Sequence, residues 1–552
     1  VPNFSEGRNL SIIKQISESI KSVPGITLLD VDPGADTNRT VVTFVGSPED
    51  VIEAAFNSIK KAAELINMNS HSGAHSRMGA TDVCPLVPIS NISMQECVEY
   101  SNILAKRVGN ELKIPIFLYD NSASSKDRIN LAQVRSGEFE GMLGKLNKPE
   151  WKPDYGPDKP HSTAGVTAIG ARNFLIAYNI NLNTQDKRIA TDIALDIREQ
   201  GRNKRNNKGK FIRDKNGIPI KVPGTLKSCK AVGWYIEEYH IAQVSMNLTD
   251  FDITPPHVAF EEIRNQARVK GVRVSGSELV GLIPLDAMIA AGRFYLNEQN
   301  RSTGIPTKDI IYIAIKSMGL DDLIPFDPKK KIIEYCIKDL YGPQASKRVY
   351  SFADDVSSDS PAPGGGSVSA LSGVLAASLT AMVANLTFGK KKWNSLYKQM
   401  CLLSQRSQSK KEELLNLIDA DTEAFNEILD VYKMPKSTEN QISLRNETLD
   451  DAMKNACNIP FNTLQCCREV MNYAKEAAEY GNSNSVTDAG VAAEMANAGA
   501  QGAALNIIIN LNQIDDIDYC EKMKIQTEIL AQESEEALTI IRKIILEKLN
   551  SD

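Results

Sequence analysis

Near residue 325 the chain changes its repeat pattern, and this change limits its fold more than any other feature. Before Pro325-Phe-Asp-Pro328, apolar β-branched runs alternate with helical ones. Beyond Tyr341 to Ser346 strand-like runs almost vanish, and long helical stretches rich in Ala, Leu, Glu and Lys continue to the end. Alternating strand and helix periods build α/β layers, and unbroken helical periods build a bundle. At 552 residues the chain is also too long for a single core. The fold class read from it is multidomain, an N-terminal α/β part made of two α/β units followed by an all-α helical bundle.

Strands are expected at Gly25 to Asp32, Arg39 to Val45 and Ile114 to Tyr119, where Pro115 favours a sheet edge. Helices are expected over Glu49 to Ile66 and Met94 to Lys113. A second α/β unit begins near the apolar Asn173 to Asn181, continues with a helix over Asp186 to Gln200, and has strands around Gly233 to Ile236 and Ile241 to Asn247. Between these, Arg198 to Lys221 is dense in Lys, Arg, Asn and Gly and reads as a solvated, mobile loop, with a polyanionic ligand as the alternative.

Composition excludes several classes. A net charge of −6 argues against a general nucleic-acid binder. Nine cysteines without any C-x-x-C suggest neither a disulfide framework nor a zinc site, and so a reducing, cytosolic compartment. The start, Val1-Pro-Asn-Phe-Ser-Glu-Gly7, is no signal peptide, and its lack of Met implies residues upstream. Val368 to Phe388 is the one membrane-like stretch, but its Ser, Gly, Thr, Asn and Ala suit close packing between helices, so no transmembrane segment is expected.

Chemistry concentrates in two places. His71-Ser-Gly-Ala-His75-Ser-Arg-Met-Gly-Ala-Thr-Asp-Val-Cys-Pro-Leu-Val-Pro88 is too broken by glycine and proline for a helix or a central strand, and reads as a rigid loop. It holds two of the five histidines (the others are His161, His240 and His257). Histidine exchanges protons near neutrality, so catalysis is the sharp reading. A His-x-x-x-His metal pair and a purely structural loop are the alternatives; no Glu base or Cys pair accompanies the histidines. In the bundle half, which has no histidine, a helix from Lys410 to Lys433 carries Leu414, Leu417, Ile418, Ala424, Phe425, Ile428 and Leu429 in one stripe. Asp421 sits in the middle of that stripe, whereas Asp419 is turned about 200° away and should face water. A carboxylate among aliphatics is paired, neutralised or functional, with a pKa raised toward acid–base use; a salt bridge is the bland alternative.

Two further segments of this half fit a binding site. Pro361-Ala-Pro-Gly-Gly-Gly-Ser367 precedes a helix whose first N–H groups could cradle an anion, although it lacks a Walker A ending. Asn482 to Val491 ends in a helix cap at Thr487 or Asp488, and its helix leads to Asn506 and Asn510 on a small-residue face.

Together these segments resemble the bifunctional formimidoyltransferase-cyclodeaminase family, folate enzymes of histidine breakdown. The resemblance rests on Val1 to Gly7, Leu28-Leu-Asp-Val-Asp32, Thr37-Asn-Arg-Thr40, the His71–Pro88 loop, Gly170 to Leu182, Pro325 to Pro328, Pro363-Gly-Gly-Gly-Ser-Val368 and Asp419-Ala-Asp421, in order over essentially the whole chain. It implies formimidoyltransferase subdomains at 1–174 and 175–337, a linker at 338–346 and a helical cyclodeaminase domain at 347–552. The implied reaction moves the formimino group of N-formimidoyl-L-glutamate to N5 of tetrahydrofolate, then closes the adduct to 5,10-methenyltetrahydrofolate and ammonia.

The resemblance makes His75 the base of the first step and Asp421 the acid of the second. It puts folate binding on Gly156, Pro157, Asp158, Lys159, Pro160, His161, Ser162, Thr163, Ala164 and Gly165, a stretch less apolar at its centre than is usual for the family. Asp32, which could orient the imidazole or the pterin, Arg39 and Gly364, Gly365 and Gly366 are further expected substrate contacts. Tetrahydrofolate, polyglutamylated, is the co-substrate; no metal or redox cofactor and no nucleic acid are expected. The family also implies a ring-shaped homo-octamer built as a tetramer of dimers, with peripheral Golgi or cytoskeletal association, and the basic loop could hold a polyglutamate tail. Two rivals remain: methenyltetrahydrofolate cyclohydrolase activity in the bundle, and a scaffold or tether with vestigial sites. Intact His75, Asp82, Asp421 and Gly364–Gly366 argue against the latter.

Overall fold

The computed structural model describes residues 1–550 apart from 36, 74, 90 and 338–341, so the loop's Ala74 and the first part of the expected linker lie outside the described residues. Two compact units result: Val1–Ala291 with Ile315–Lys338, and Gly292–Ala314 with Asp339–Asp552.

The first unit contains both α/β layers. Strands β1 (Asn3–Phe4), β2 (Thr27–Gly34), β3 (Arg39–Val45), β4 (Thr81–Leu86), β5 (Ile116–Leu118) and β6 (Thr167–Ala171) form one sheet in the order β2-β3-β1-β4-β6-β5. The Pro115 strand is at the edge, as its missing N–H demands. Helices Leu10–Lys21 and Pro48–Leu65 start where Asn9 and Ser47 accept backbone N–H groups, and they bury Ile16, Ile20, Phe56 and Ile59 against Phe4, Val42 and Phe44. The next helix, Met94–Arg107, ends earlier than expected; residues 108–112 form a wider π-type turn into left-handed Lys113.

The second sheet follows β7 (Ile176–Leu182), the short pair β8 (Arg202–Asn203) and β9 (Lys221–Val222), β10 (Cys229–Ile236), β11 (Ile241–Leu248) and β12 (Val274–Val280). Its order is β10-β11-β7-β12, all antiparallel. Helices Lys187–Ile197 and Pro256–Val269 pack on this sheet. Alternate residues point to the opposite face, where Gln243 takes a hydrogen bond from Trp234 Nε1 at 3.0 Å and donates to Asn181 at 2.8 Å. The basic segment between β7 and β10 is not a structureless loop. Asn206 and Asp214 each accept two backbone N–H groups and close two successive turns, and the β8–β9 pair clasps the base. Its lysines remain exposed, and Arg202 is paired with Asp192 and Asp196.

The second unit is helical. Gly365–Thr387 packs against Tyr397–Tyr432 and Val486–Leu511, and the latter against Glu439–Tyr480 and Ile517–Leu549. Gly365–Thr387 is long and apolar enough to cross a membrane, yet 61% of its most apolar window is buried within the protein. The cap expected at Thr487 or Asp488 lies earlier: Asn482 caps a 3₁₀ turn at Ser483–Ser485 that runs directly into the helix at Val486.

Asp419 corrects another expectation. It does not face water but is buried, accepting the backbone N–H groups of Gln344 at 2.7 Å and Ala345 at 3.0 Å. The helical wheel places it off the apolar stripe, but an incoming turn covers that side as well.

Candidate active sites

Part of the His71–Pro88 segment is not loop: Thr81–Leu86, Pro85 included, is the interior strand β4 between β1 and β6. The two-residue β1 pairs only with Thr81 and Val83, so the N–H that Pro85 lacks costs no bond to it. The loop that precedes this strand is pinned from both ends. Met78 N donates to Asp82 Oδ1 at 3.0 Å, and Gly79 lies so close to the end of the Gly156–Gly165 stretch that an added Cβ would stand 2.7 Å from Ala164 O and 2.1 Å from Val166 O just beyond it. His71 uses Nε2 on Asn38 O at 2.9 Å, while Arg77 holds Glu138 and Glu140. These contacts place His71 and Arg77 in the loop's scaffold. An open basin of about 540 Å³ lies along the loop, lined by Ser72, Gly73, Arg77, Gly137, Glu138 and Glu140.

His75 is half-buried. Its Nδ1 lies 2.6 Å from Ser76 O, and because a carbonyl only accepts, that contact puts the proton on Nδ1 and leaves the lone pair on Nε2, which no hydrogen bond engages among the described residues. Burial, then the Arg39 and Arg135 guanidiniums, push its pKa down to about 4, so the ring is neutral at physiological pH. Asp82, fully buried, accepts from Arg39 Nη1 and Arg135 Nη2, both at 2.6 Å. Burial alone would raise its carboxyl, but the two arginines more than reverse this and hold it below the ordinary range.

Of the other expected residues, Arg39 stands beside the imidazole, with Nη1 3.4 Å from His75 Nδ1. Asp32 is on β2 opposite Val41, half-buried; the carboxylate acting on His75 is that of Asp82, and the ring is oriented by Ser76, not by Asp32. The Gly156–Gly165 stretch is clasped onto the same loop. Gly156, Pro157, Asp158, Lys159 and Ser162 are exposed, Pro160 and Thr163 half-buried, and Ala164 and Gly165 buried. Met68 N donates to Thr163 O and Ala80 N to Ala164 O, each at 2.9 Å. His161 turns inward, its Nδ1 accepting Ala164 N at 3.1 Å, so it shapes the turn. Arg135 carried no sequence signal: it is a lone basic residue after a short helix, brought to Asp82 only by the fold.

In the helical unit, the Gly364–Gly366 turn starts the Gly365–Thr387 helix, and the anion at that start is the chain's own. Asp421 Oδ2 accepts Ser367 N at 2.8 Å and Ser367 Oγ at 2.9 Å. A Cβ on Gly366 would stand 2.0 Å from Asp421 Oδ1, and one on Gly365 would stand 3.2 Å from Asn506 Nδ2. Burial raises the Asp421 carboxyl above its usual range, against the two Ser367 bonds that favour ionisation. Asn506 thus joins the glycine turn, while Asn510 serves helix packing, donating to Ala456 O at 2.8 Å. Among the described residues no group of three or more His, Cys, Asp or Glu side chains is arranged to hold a metal.

A pair of α/β layers carrying a neutral imidazole, joined in one chain to a helical bundle carrying a half-buried carboxyl, makes a chain with two candidate acid–base sites. Three family models match in succession: the formiminotransferase domain, N-terminal subdomain, over 1–172; the formiminotransferase domain over 177–338; and formiminotransferase-cyclodeaminase over 348–529. The chain is 39% identical to a formimidoyltransferase-cyclodeaminase of Mus musculus over 98% of its own length and 97% of the relative's. Across 300 residues the chain is 47% identical to a glutamate formimidoyltransferase of Streptococcus pyogenes, 54% of this chain and 93% of that one. A methenyltetrahydrofolate cyclohydrolase of Methylorubrum extorquens is 34% identical over 37% of this chain and 99% of its own. The chain belongs to the formimidoyltransferase-cyclodeaminase family.

Proposed function

We propose that this chain catalyses two successive steps of histidine degradation on one folate. The formimino group of N-formimidoyl-L-glutamate passes to N5 of tetrahydrofolate, and 5-formimidoyltetrahydrofolate then closes to 5,10-methenyltetrahydrofolate with loss of ammonia. The observation that carries this reading is His75 itself, neutral and with no hydrogen bond on Nε2 among the described residues, in a chain of this family.

In the first step N5 attacks the amidine carbon, His75 Nε2 takes the N5 proton, and the same proton returns to the glutamate nitrogen as its bond to carbon breaks. In the second, N10 attacks that carbon in the helical unit. Asp421, its pKa raised by burial, relays the N10 proton to the departing nitrogen, a second proton comes from solvent, and ammonia leaves as the methenyl bridge closes. The Gly156–Gly165 stretch, clasped onto the catalytic loop, would hold the folate, with Asp32 and Arg39 contacting substrate nearby. In the bundle, Gly366 gives Asp421 the space it occupies, and Gly364, Gly365 and Gly366 would contact the substrate beside it.

This reading carries the boundaries 1–174, 175–337, 338–346 and 347–552, polyglutamylated tetrahydrofolate as co-substrate with no metal, a homo-octamer, and a cytosolic protein with peripheral Golgi or cytoskeletal association. A second reading, methenyltetrahydrofolate cyclohydrolase activity in the helical unit, is favoured by the likeness to the Methylorubrum enzyme. Ammonia assays separate the two. Ammonia released mole for mole with methenyl product supports cyclodeamination, whereas loss of methenyl absorbance without ammonia supports the hydrolase.

A further inference from the structure

Arg135 gives the transferase site a charge that nothing else in the cluster balances. Its Nη2 and Nε lie 2.6 and 3.3 Å from Asp82, and Arg39 reaches the same Oδ2 from the other side. Two guanidiniums therefore share one carboxylate. The three side chains are 13%, 10% and 0% exposed, so water screens them little. His75 is neutral and cannot offset the remaining positive charge. A buried charge of this kind is costly unless an anion arrives, and a guanidinium edge matches a carboxylate. Arg39 has committed Nε and Nη2 to Asn3 and Nη1 to Asp82. Arg135 has spent only its Nε–Nη2 edge, and no hydrogen bond engages Nη1 among the described residues.

We propose that Arg135 Nη1, with Arg39 behind it, receives the α-carboxylate of the amino-acid donor and thereby selects an α-amino acid derivative as the formimino source. The inference rests on the transferase reading of this site. The bond lengths of the donor favour the α-carboxylate over the side-chain one. Its carbon is three bonds, each of about 1.3–1.5 Å, from the reacting amidine carbon, whereas the side-chain carboxylate is two bonds further along a flexible arm. An anchor for the nearer group must sit next to the base, and the arginine pair does: Arg39 Nη1 is 3.4 Å from His75 Nδ1. A carboxylate docked there also offsets the two guanidiniums that depress the imidazole, so the donor strengthens the base that acts on it.

The test compares three donors on the full-length protein with tetrahydrofolate: N-formimidoyl-L-glutamate, its α-carboxamide and its γ-carboxamide. Wild type should lose roughly 10- to 100-fold in kcat/KM with the α-amide, the range expected for one charge-assisted hydrogen-bond pair, and clearly less with the γ-amide. Arg135→Gln should lose a similar factor with the natural donor, show little further loss with the α-amide, and bind tetrahydrofolate as wild type does; Arg135→Lys should recover part of the discrimination. Equal losses with both amides in wild type, or an undiminished α-amide penalty in Arg135→Gln, would overturn the inference while leaving the transferase reading intact. No turnover of the natural donor by wild type would remove both. Should Arg135→Gln fail to fold, the wild-type comparison of the two amides still decides.

Discussion

At His75 two requirements conflict: a base must stay unprotonated at neutral pH and still accept a proton when bonds change. The fold meets the first by burying the ring near Arg39 and Arg135, which brings its pKa to about 4. Transfer activity of the free enzyme (kcat/KM) should accordingly hold steady from neutral pH downward and fall only as pH approaches about 4; a limb near the ordinary histidine value of about 6.5 would contradict this. At Asp421 the balance runs the other way, burial raising the pKa and Ser367 restraining it. Ser367→Ala removes one of the two bonds that favour the carboxylate, so the pH limb of cyclisation assigned to Asp421 should move upward, read from the pH profile of ammonia release. Asp421 was legible in the sequence because a carboxylate interrupts an apolar stripe. Asp419 was misread because angular position on a helix says nothing about a second element covering the far side. Arg135 was invisible because only the fold brings it to Asp82.

Among the elements, the helix start at Gly365 shows how a glycine turn serves a side chain. Ser367 N–H can reach Asp421 because Gly366 leaves the space in which a Cβ would stand 2.0 Å from Oδ1. Gly366→Ala should therefore abolish cyclodeamination while formimino transfer persists, with 5-formimidoyltetrahydrofolate accumulating in a chromatographic assay. Asp419→Ala strips two backbone N–H groups of their acceptor and should lower stability by about 1–3 kcal/mol, measurable by thermal or denaturant unfolding. Strands and helices were mostly readable, since the two-residue and 3.6-residue periods are local properties. The basic arm was not. Its turns depend on Asn206 and Asp214 capping their own backbone, chemistry that a run of cations conceals.

For the whole molecule, the change of pattern near residue 325 separated α/β from helical sequence correctly, but it did not disclose that Gly292–Ala314 groups with the helical unit, because a helix's period does not name its packing partner. Stability should carry the mark of the desolvated histidines, half-buried His75 and buried His257. His75 and His257 are both held down to about 4, chiefly by burial, whereas in the unfolded chain they take up protons near 6.5. The unfolded state then binds more protons between those values, so their contribution is present above about pH 6.5 and is lost as pH falls toward 4. Thermal midpoints measured across that window should decline, and less steeply in His257→Gln if that variant folds. The central claim, two acid–base sites acting in order, is tested most directly by giving wild type, His75→Ala and Asp421→Asn both N-formimidoyl-L-glutamate and tetrahydrofolate and following glutamate, 5-formimidoyltetrahydrofolate and ammonia together. The expected result is all three species in wild type, none in His75→Ala, and glutamate with 5-formimidoyltetrahydrofolate but no ammonia in Asp421→Asn. Ammonia release by Asp421→Asn at the wild-type rate, or transfer by His75→Ala at the wild-type rate, would contradict the account.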